Sequence, residues 1–198
     1  MAFTFFFRDM HTLQIIEQKV IPQLRNRRYL NVWDAGCATG AEPYSLAMLF
    51  RENMGEFLFR NLRIYATDID HHFGDIIRKG AYRDEEVRSI PVPMREKYFA
   101  PADGGSSLVV TDALRSAVLF LHHDLTTYKP IRDGFCLIVC KNVLLHLKRE
   151  QVVEVIKMFH EVLSEGGFFV TEQTQKLPAE VNHLFQQITN DGQVFQKI

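Results

Sequence analysis

Gly36 and Gly40 punctuate the stretch Asp34-Ala35-Gly36-Cys37-Ala38-Thr39-Gly40-Ala41-Glu42-Pro43-Tyr44, and Asp68 closes the next apolar segment. Glycines placed there let the chain turn sharply out of a strand and into a helix. The helix start offers unpaired N–H groups at the positive end of its dipole. An acid at the tip of a second parallel strand can accept both hydroxyls of an adenosine ribose held over the first turn. The pattern therefore reads as a nucleotide-type cofactor site, although its spacing is not the G-x-G-x-x-G of dinucleotide enzymes. The plainer role for such acids is capping, and Asp70 suits the start of the helix that follows.

These residues need elements to hold them. Tyr29-Leu30-Asn31-Val32-Trp33 is short and rich in β-formers, as a buried strand is. Pro43 suits a first helical position and Glu42 a helix N-terminus, and Leu46, Ala47, Leu49 and Phe50 then recur at helical spacing over 44–53. Leu62-Arg63-Ile64-Tyr65-Ala66-Thr67 reads as the second strand, with further core strands at 117–121, 135–140 and 168–171. Leu13, Ile16, Val20 and Leu24 form an opening helical stripe that Pro22 must kink or end. Val152, Ile156, Phe159 and Leu163 share a helical face, with Glu165-Gly166-Gly167 as its stop. A final helix near 178–188 and a strand at 193–197 complete the alternation. That alternation predicts an α/β fold with a mainly parallel sheet covered by helices on both faces.

From Met94 to Arg115 the alternation lapses, and Pro101-Ala102-Asp103-Gly104-Gly105-Ser106 is a turn cluster between β-prone pieces. Residues 94–116 read as a small inserted β subdomain in a single domain spanning 1–198. With 198 residues and 46% hydrophobic content, the chain can bury one good core. A net charge of −1 gives no electrostatic footprint for nucleic acid. Three cysteines, Cys37, Cys136 and Cys140, suggest free buried thiols in a reducing compartment rather than a disulfide framework. No apolar stretch approaches the roughly 20 residues of a membrane span, so a cytoplasmic protein is expected.

Phe6-Phe7-Arg8, the glycine stretch through Ser45, Ala66-Thr67-Asp68-Ile69-Asp70, Gly80-Ala81-Tyr82-Arg83-Asp84, Lys97-Tyr98-Phe99 and Cys140-Lys141-Asn142-Val143 occur in that order. In this the chain resembles the CheR family, S-adenosylmethionine-dependent methyltransferases of glutamate side chains in bacterial chemoreceptors. The likeness is to the catalytic domain, without the N-terminal helical domain that helps full-length members recognise receptor helices. It implies a Rossmann-like class I methyltransferase whose product is S-adenosylhomocysteine. It also implies that Gly36 and Gly40 let backbone approach the methionine part of the cofactor, while Thr39 and Glu42 approach its polar groups. By the same carry-over Asp68 takes the ribose hydroxyls, Asp124 and Leu125 meet the adenine, and Asn142 lies near the methionine. Arg8 becomes the cation beside the transferred methyl and the substrate carboxylate. The inserted hairpin becomes a surface that docks a receptor tail by strand addition.

Three positions depart from the family. His146 replaces its usual tyrosine near the methyl acceptor, Lys141 its arginine, and Thr171-Glu172-Gln173-Thr174 its His-Ser-Glu type ending. The alternatives are a same-fold methyltransferase with a small-molecule or other protein acceptor, and a non-catalytic cofactor-binding module. Metal chemistry is not expected. The adjacent pairs His71-His72 and His122-His123 point apart on a strand or helix, and Cys136 and Cys140 read as core residues on one strand face.

Overall fold

The computed structural model describes residues 4–102, 105 and 107–198. The chain opens with α1 (Met10–Ile15), a π-helical turn (Ile16–Val20) and α2 (Ile21–Leu24). Pro22 brings no N–H and its ring crowds the carbonyl four residues back. The widened turn just before it absorbs that conflict, so the helix passes through Pro22 and ends two residues later.

β1 (Leu30–Ala35) leads into α3 (Ala41–Phe59). Gly40 is the N-cap of α3, which puts Pro43 third in the helix rather than first, still within the turn whose N–H groups have no helical partner. The helix outruns the expected 44–53 because Gly55, at φ 70° and ψ 177°, kinks it instead of ending it. There follow β2 (Leu62–Asp68), α4 (Phe73–Lys79) and β3 (Ala81–Tyr82), then α5 (Val92–Tyr98), β4 (Phe99–Pro101), β5 (Leu108–Val110) and α6 (Asp112–Arg115). β6 (Val118–His122), β7 (Phe135–Cys140), α7 (Arg149–Val162), β8 (Leu163–Thr171), β9 (Phe185–Gln187) and β10 (Val194–Lys197) complete the chain.

The main sheet has the order β6-β2-β1-β7-β8-β10-β9. β6, β2, β1, β7 and β8 run parallel, and β10 runs antiparallel to both its neighbours. One face packs Leu46, Phe50 and the opening helices, including Ile16 and Leu24, against Val32, Ile64 and Leu137. The other packs Val152, Ile156 and Phe159 of α7 against Trp33, Ile138 and Phe169. Each such side chain, fully buried, stabilises the fold by about 1.5–3 kcal/mol. No helix among the described residues is long and apolar enough to cross a membrane.

Four expectations need correction. Where no helix was foreseen after Met94, α5 covers 92–98. The β pieces that follow do pair, β4 with β5, and β3 joins them in an antiparallel sheet of order β3-β5-β4; Asp103, Gly104 and Ser106 of the turn cluster lie outside the described residues. No α-helix forms near 178–188. Instead Phe185 packs on Phe169 and Phe195 at 5.8 and 6.5 Å between ring centroids, and its segment pairs with β10 as an edge strand. Tertiary packing there overrides local spacing. α7 stops at Val162, and the glycines meant to end it lie inside β8. A Cβ on Gly167 would sit 2.8 Å from the Ser164 carbonyl oxygen, so glycine permits the irregular pairing of β7 with β8. That irregularity, between Phe135 and Leu137, also moves Cys136 onto the α3 face while Cys140 stays on the α7 face.

Candidate active site

A cavity of about 620 Å3 opens at the C-terminal ends of β1, β2, β6 and β7, where chain order reverses between β1 and β7. Such crevices are where open α/β sheets bind ligands, and the size suits a nucleotide-like molecule. Arg8, Gly36, Glu42 and Asp68 line it, as do Asp124, Leu125, Asn142 and His146. Thr39 and Gly40 are not among its lining residues. The Thr39 carbonyl accepts a 2.8 Å hydrogen bond from the Tyr82 hydroxyl, and a Cβ on Gly40 would lie 2.7 Å from both that hydroxyl and Ile77 Cγ1. With φ at +96°, Gly40 serves the packing of the turn against β3 and α4. Gly36, at φ +99°, lines the cavity, and a Cβ there would collide with Val143 at 2.1 Å.

Two backbone N–H groups hold the Asp68 carboxylate. One carboxylate oxygen accepts from the Ala38 N–H at 3.0 Å, the other from the Asp70 N–H at 3.0 Å. Each oxygen keeps a lone pair for a hydroxyl donor. Asp70 does not cap α4, whose N-cap is His72; it instead accepts from the His72 N–H in the turn before the helix. Asp124 caps the turn after β6: its Oδ1 accepts from the Thr126 N–H and hydroxyl, and these bonds hold its carboxyl below the usual range. That oxygen is engaged, so its partner oxygen is the one left for an exocyclic amine.

Lys141 ties the opposite wall together, a role that sequence reasoning missed. Its ammonium is buried, 2.7 Å from Glu42 Oε1 and 3.9 Å from Asp9 Oδ2, and it donates to the Arg8 carbonyl at 3.5 Å. Burial opposes this charge, yet Glu42 and Asp9 keep it above the ordinary lysine value. The Glu42 carboxylate is therefore already shared with Lys141. Behind them the fully buried Asp34 has no hydrogen-bond partner on either oxygen. Burial first, then the Glu42 carboxylate, pushes its carboxyl well up, with Lys141 pulling the other way. Cys37 is buried as well, and its thiol is pushed up by burial and by Asp34.

Arg8 reaches the cavity because the segment before it is pinned. The Phe7 N–H donates to Ser45 Oγ at 2.9 Å, the Ser89 hydroxyl to the Phe6 carbonyl at 2.7 Å, and the Phe6 ring meets Tyr82 edge-on. Its Nη2 donates to Asn142 Oδ1 at 3.2 Å. Asn142 holds φ at 58°, a conformation that costs a non-glycine residue on the order of 1 kcal/mol. Its N–H donates to Glu172 Oε2, which also accepts from the Thr171 hydroxyl. The departure at 171–174 thus supplies the anchor for Asn142, which no local signal announces. His146 is exposed at the cavity mouth on a short 3-10 turn. His123 also lines the cavity, with Nε2 at 2.7 Å from the Lys129 carbonyl and Nδ1 buried without a partner.

The His71 and His72 rings do not point apart. They lie in a turn, outside the periodicity of strand or helix, with centroids 4.0 Å apart.

The parallel sheet with its antiparallel β10, the glycine turn over the cavity and the acid at the tip of β2 define a class I, Rossmann-like methyltransferase. Solved structures share this fold: a TehB-like S-adenosylmethionine-dependent methyltransferase from Corynebacterium glutamicum has a TM-score of 0.51 at 13% identity, covering 90% of this chain and 85% of that one. PKMT2 from Rickettsia typhi, in complex with AdoHcy, has a TM-score of 0.51 at 14% identity, covering 86% and 26%. The family description "CheR methyltransferase, SAM binding domain" matches residues 2–194, and the chain belongs to that family. It is 32% identical over 164 residues to the chemotaxis protein methyltransferase of Listeria monocytogenes, covering 82% of this chain and 60% of that protein. With the Vibrio parahaemolyticus protein of the same description it shares 26% identity over 196 residues, covering 98% and 71%. S-adenosylmethionine is the cofactor of this family's domain, and the residues present fit it: a two-oxygen acceptor at Asp68, an acidic wall at Glu42 and a cavity of matching size.

Proposed function

We propose that this chain methylates glutamate side-chain carboxylates of a chemoreceptor signalling domain, acting in the cytoplasm. Bound S-adenosylmethionine would supply an activated methyl group to the acceptor carboxylate, with its sulfur as the leaving group. A glutamate is already ionised at neutral pH, so no base is needed and the work is positioning. Asp68 would orient the ribose, Leu125 and Asp124 the adenine, and Glu42 with Asn142 the methionine part. Thr39 and Gly40 would act through the shape of the turn. His146 would border the acceptor at the mouth.

The observation that carries the reading is the placement of Arg8. Arg8 lines the same cavity as Asp68 and Glu42 and donates to Asn142 Oδ1, which supports reading it as the cation that orients an acceptor carboxylate. A single contact of this kind orients the acceptor without gripping it so tightly as to stabilise the ground state. Residues 1–198 act in this reading as one catalytic unit. The β3-β5-β4 sheet, with β3 and β4 as its edges, supports the 94–116 excursion as the place where a receptor tail adds a strand.

Arg8→Ala tests the reading. Methyl transfer to a receptor signalling domain, read as base-labile radioactivity released as methanol, is expected to vanish. S-adenosylhomocysteine affinity is expected to stay within about tenfold, roughly 1.4 kcal/mol. Transfer that survives the substitution removes Arg8 from the acceptor site. A wild-type protein that binds the product but methylates neither receptor nor small carboxylate favours the binding-module alternative.

A further inference from the structure

Beside the ribose acid, the turn between β2 and α4 gathers donor atoms that the methyl-transfer reading does not use. One atom each from Asp70, His71 and His72 lie within 4.8 Å of one another. We propose that these three residues bind a divalent transition-metal ion of the zinc type.

The donor set is two imidazoles and a carboxylate, which favours zinc and its neighbours over magnesium or calcium. Asp70 is prepared for the role. The His72 N–H donates to its Oδ1 at 3.0 Å, and the His72 ring nitrogen Nδ1 lies 2.9 Å from the same oxygen. The bond from the His72 N–H also fixes its orientation, as outer hydrogen bonds do for metal-binding carboxylates. The His71 ring makes no hydrogen bond among the described residues, and it lies 4.0 Å from that of His72 with 33° between planes. An Asp70–His72 ion pair accounts for two of these side chains and leaves the His71 ring without a hydrogen bond among the described residues. A shared ion accounts for all three.

A further nitrogen comes from far along the chain. His122, at the end of β6, places its ring 6.2 Å from that of His71. Its Nε2 lies 2.9 Å from the Ile69 carbonyl oxygen. A proton on Nε2 donated to that oxygen leaves the Nδ1 lone pair for a metal, the arrangement in which metal-bound histidines are commonly fixed. Tetrahedral zinc needs ligand atoms about 3.3 Å apart, a closure that the exposed rings of His71 and His72 can supply by rotation. The three cysteines offer no competing site, being buried with their thiols pushed up.

The test is titration of the tag-free full chain with Zn2+ by calorimetry, and with Co2+ followed by visible absorption. One equivalent is expected to bind, with nitrogen-type ligand-field bands for Co2+. His71→Ala and His72→Ala should each weaken Zn2+ by about tenfold or more, His122→Ala by less, and His183→Ala not at all. Circular dichroism and S-adenosylhomocysteine binding check that the variants fold. Absence of a stoichiometric site tighter than about 100 μM overturns the proposal. So does wild-type affinity in the His71→Ala/His72→Ala double variant.

Discussion

The C-terminal rim of the parallel strands and the antiparallel flank of the same sheet are built by opposite rules. On the flank, Phe169 stands between Phe159, Phe185 and Phe195 at 5.5, 5.8 and 6.3 Å, and it is fully buried. One buried polar atom there, His160 Nε2, lacks a partner. At the rim, Asp34, Glu172 and His123 all bury unpartnered polar atoms. Phe7, Asp9, Ala38 and Asn142 hold positive φ there without being glycine. The difference teaches where this molecule keeps its stability and where it spends it. The apolar flank carries the fold, and the rim tolerates strain and buried charge because they place groups around a cavity.

Large substitutions on each side should separate the two rules. Phe169→Ala is expected to cost about 3–5 kcal/mol of stability through its cavity, while the protein still folded at low temperature keeps kcat/KM within about threefold. Lys141→Ala should cost about 3 kcal/mol, because it leaves the partly buried Glu42 carboxylate without its cation. Here the folded protein should also lose more than about tenfold in kcat/KM, since Arg8 and Asp9 lose their anchor. Denaturant unfolding with steady-state methylation reads both. Lys141→Arg, which keeps the charge, should restore most of the loss. Equal kinetic losses in the two alanine variants would erase the distinction between rim and flank.

A smaller effect tests a group aimed at ligand rather than at packing. Asp68→Ala should weaken S-adenosylhomocysteine by about 1–3 kcal/mol by calorimetry, since the ribose hydroxyls lose a charged acceptor. Its thermal midpoint should move little. Undiminished binding would take Asp68 out of the site.

The smallest effect concerns Asp34 and has a defined sign. Its folded carboxyl titrates well above the unfolded value, so between those two values the native state holds a proton that the unfolded state has released. Stability from this group is therefore fully present below the unfolded pKa and falls as pH rises toward the folded one. Asp34→Asn removes the titration. Its stability relative to wild type should grow from pH 4 to pH 8, reaching on the order of 1 kcal/mol. A difference that stays flat across that range, or shrinks, would show that the buried carboxyl does not hold its proton.

The amino-acid sequence by itself determined the elements whose periodicity is long or whose turn chemistry is specific. The first two strands, the glycine turn, the α3 and α7 stripes and the acid at the tip of β2 are all written in local spacing. Gly36, Glu42 and Asp68 of the cavity are written there too, while Arg8, Asp124, Leu125, Asn142 and His146 were reached through the resemblance of their motifs to a family. Tertiary structure alone decided what depends on contacts across the chain. Phe185 became strand because partners on β8 and β10 outweigh a helical pattern. Gly166, at φ +63°, and Gly167 became part of β8, and at Gly167 backbone passes too close for a side chain. Thr39 and Gly40 turned to β3 and α4 because Tyr82, from a distant segment, fills the space beside them. Lys141, Asp34 and Glu172 acquired their roles from burial, which no run of neighbouring residues specifies. Local spacing encodes where a chain turns and which face it buries, while the partners of a buried charge are set by segments that meet only when the sheet closes.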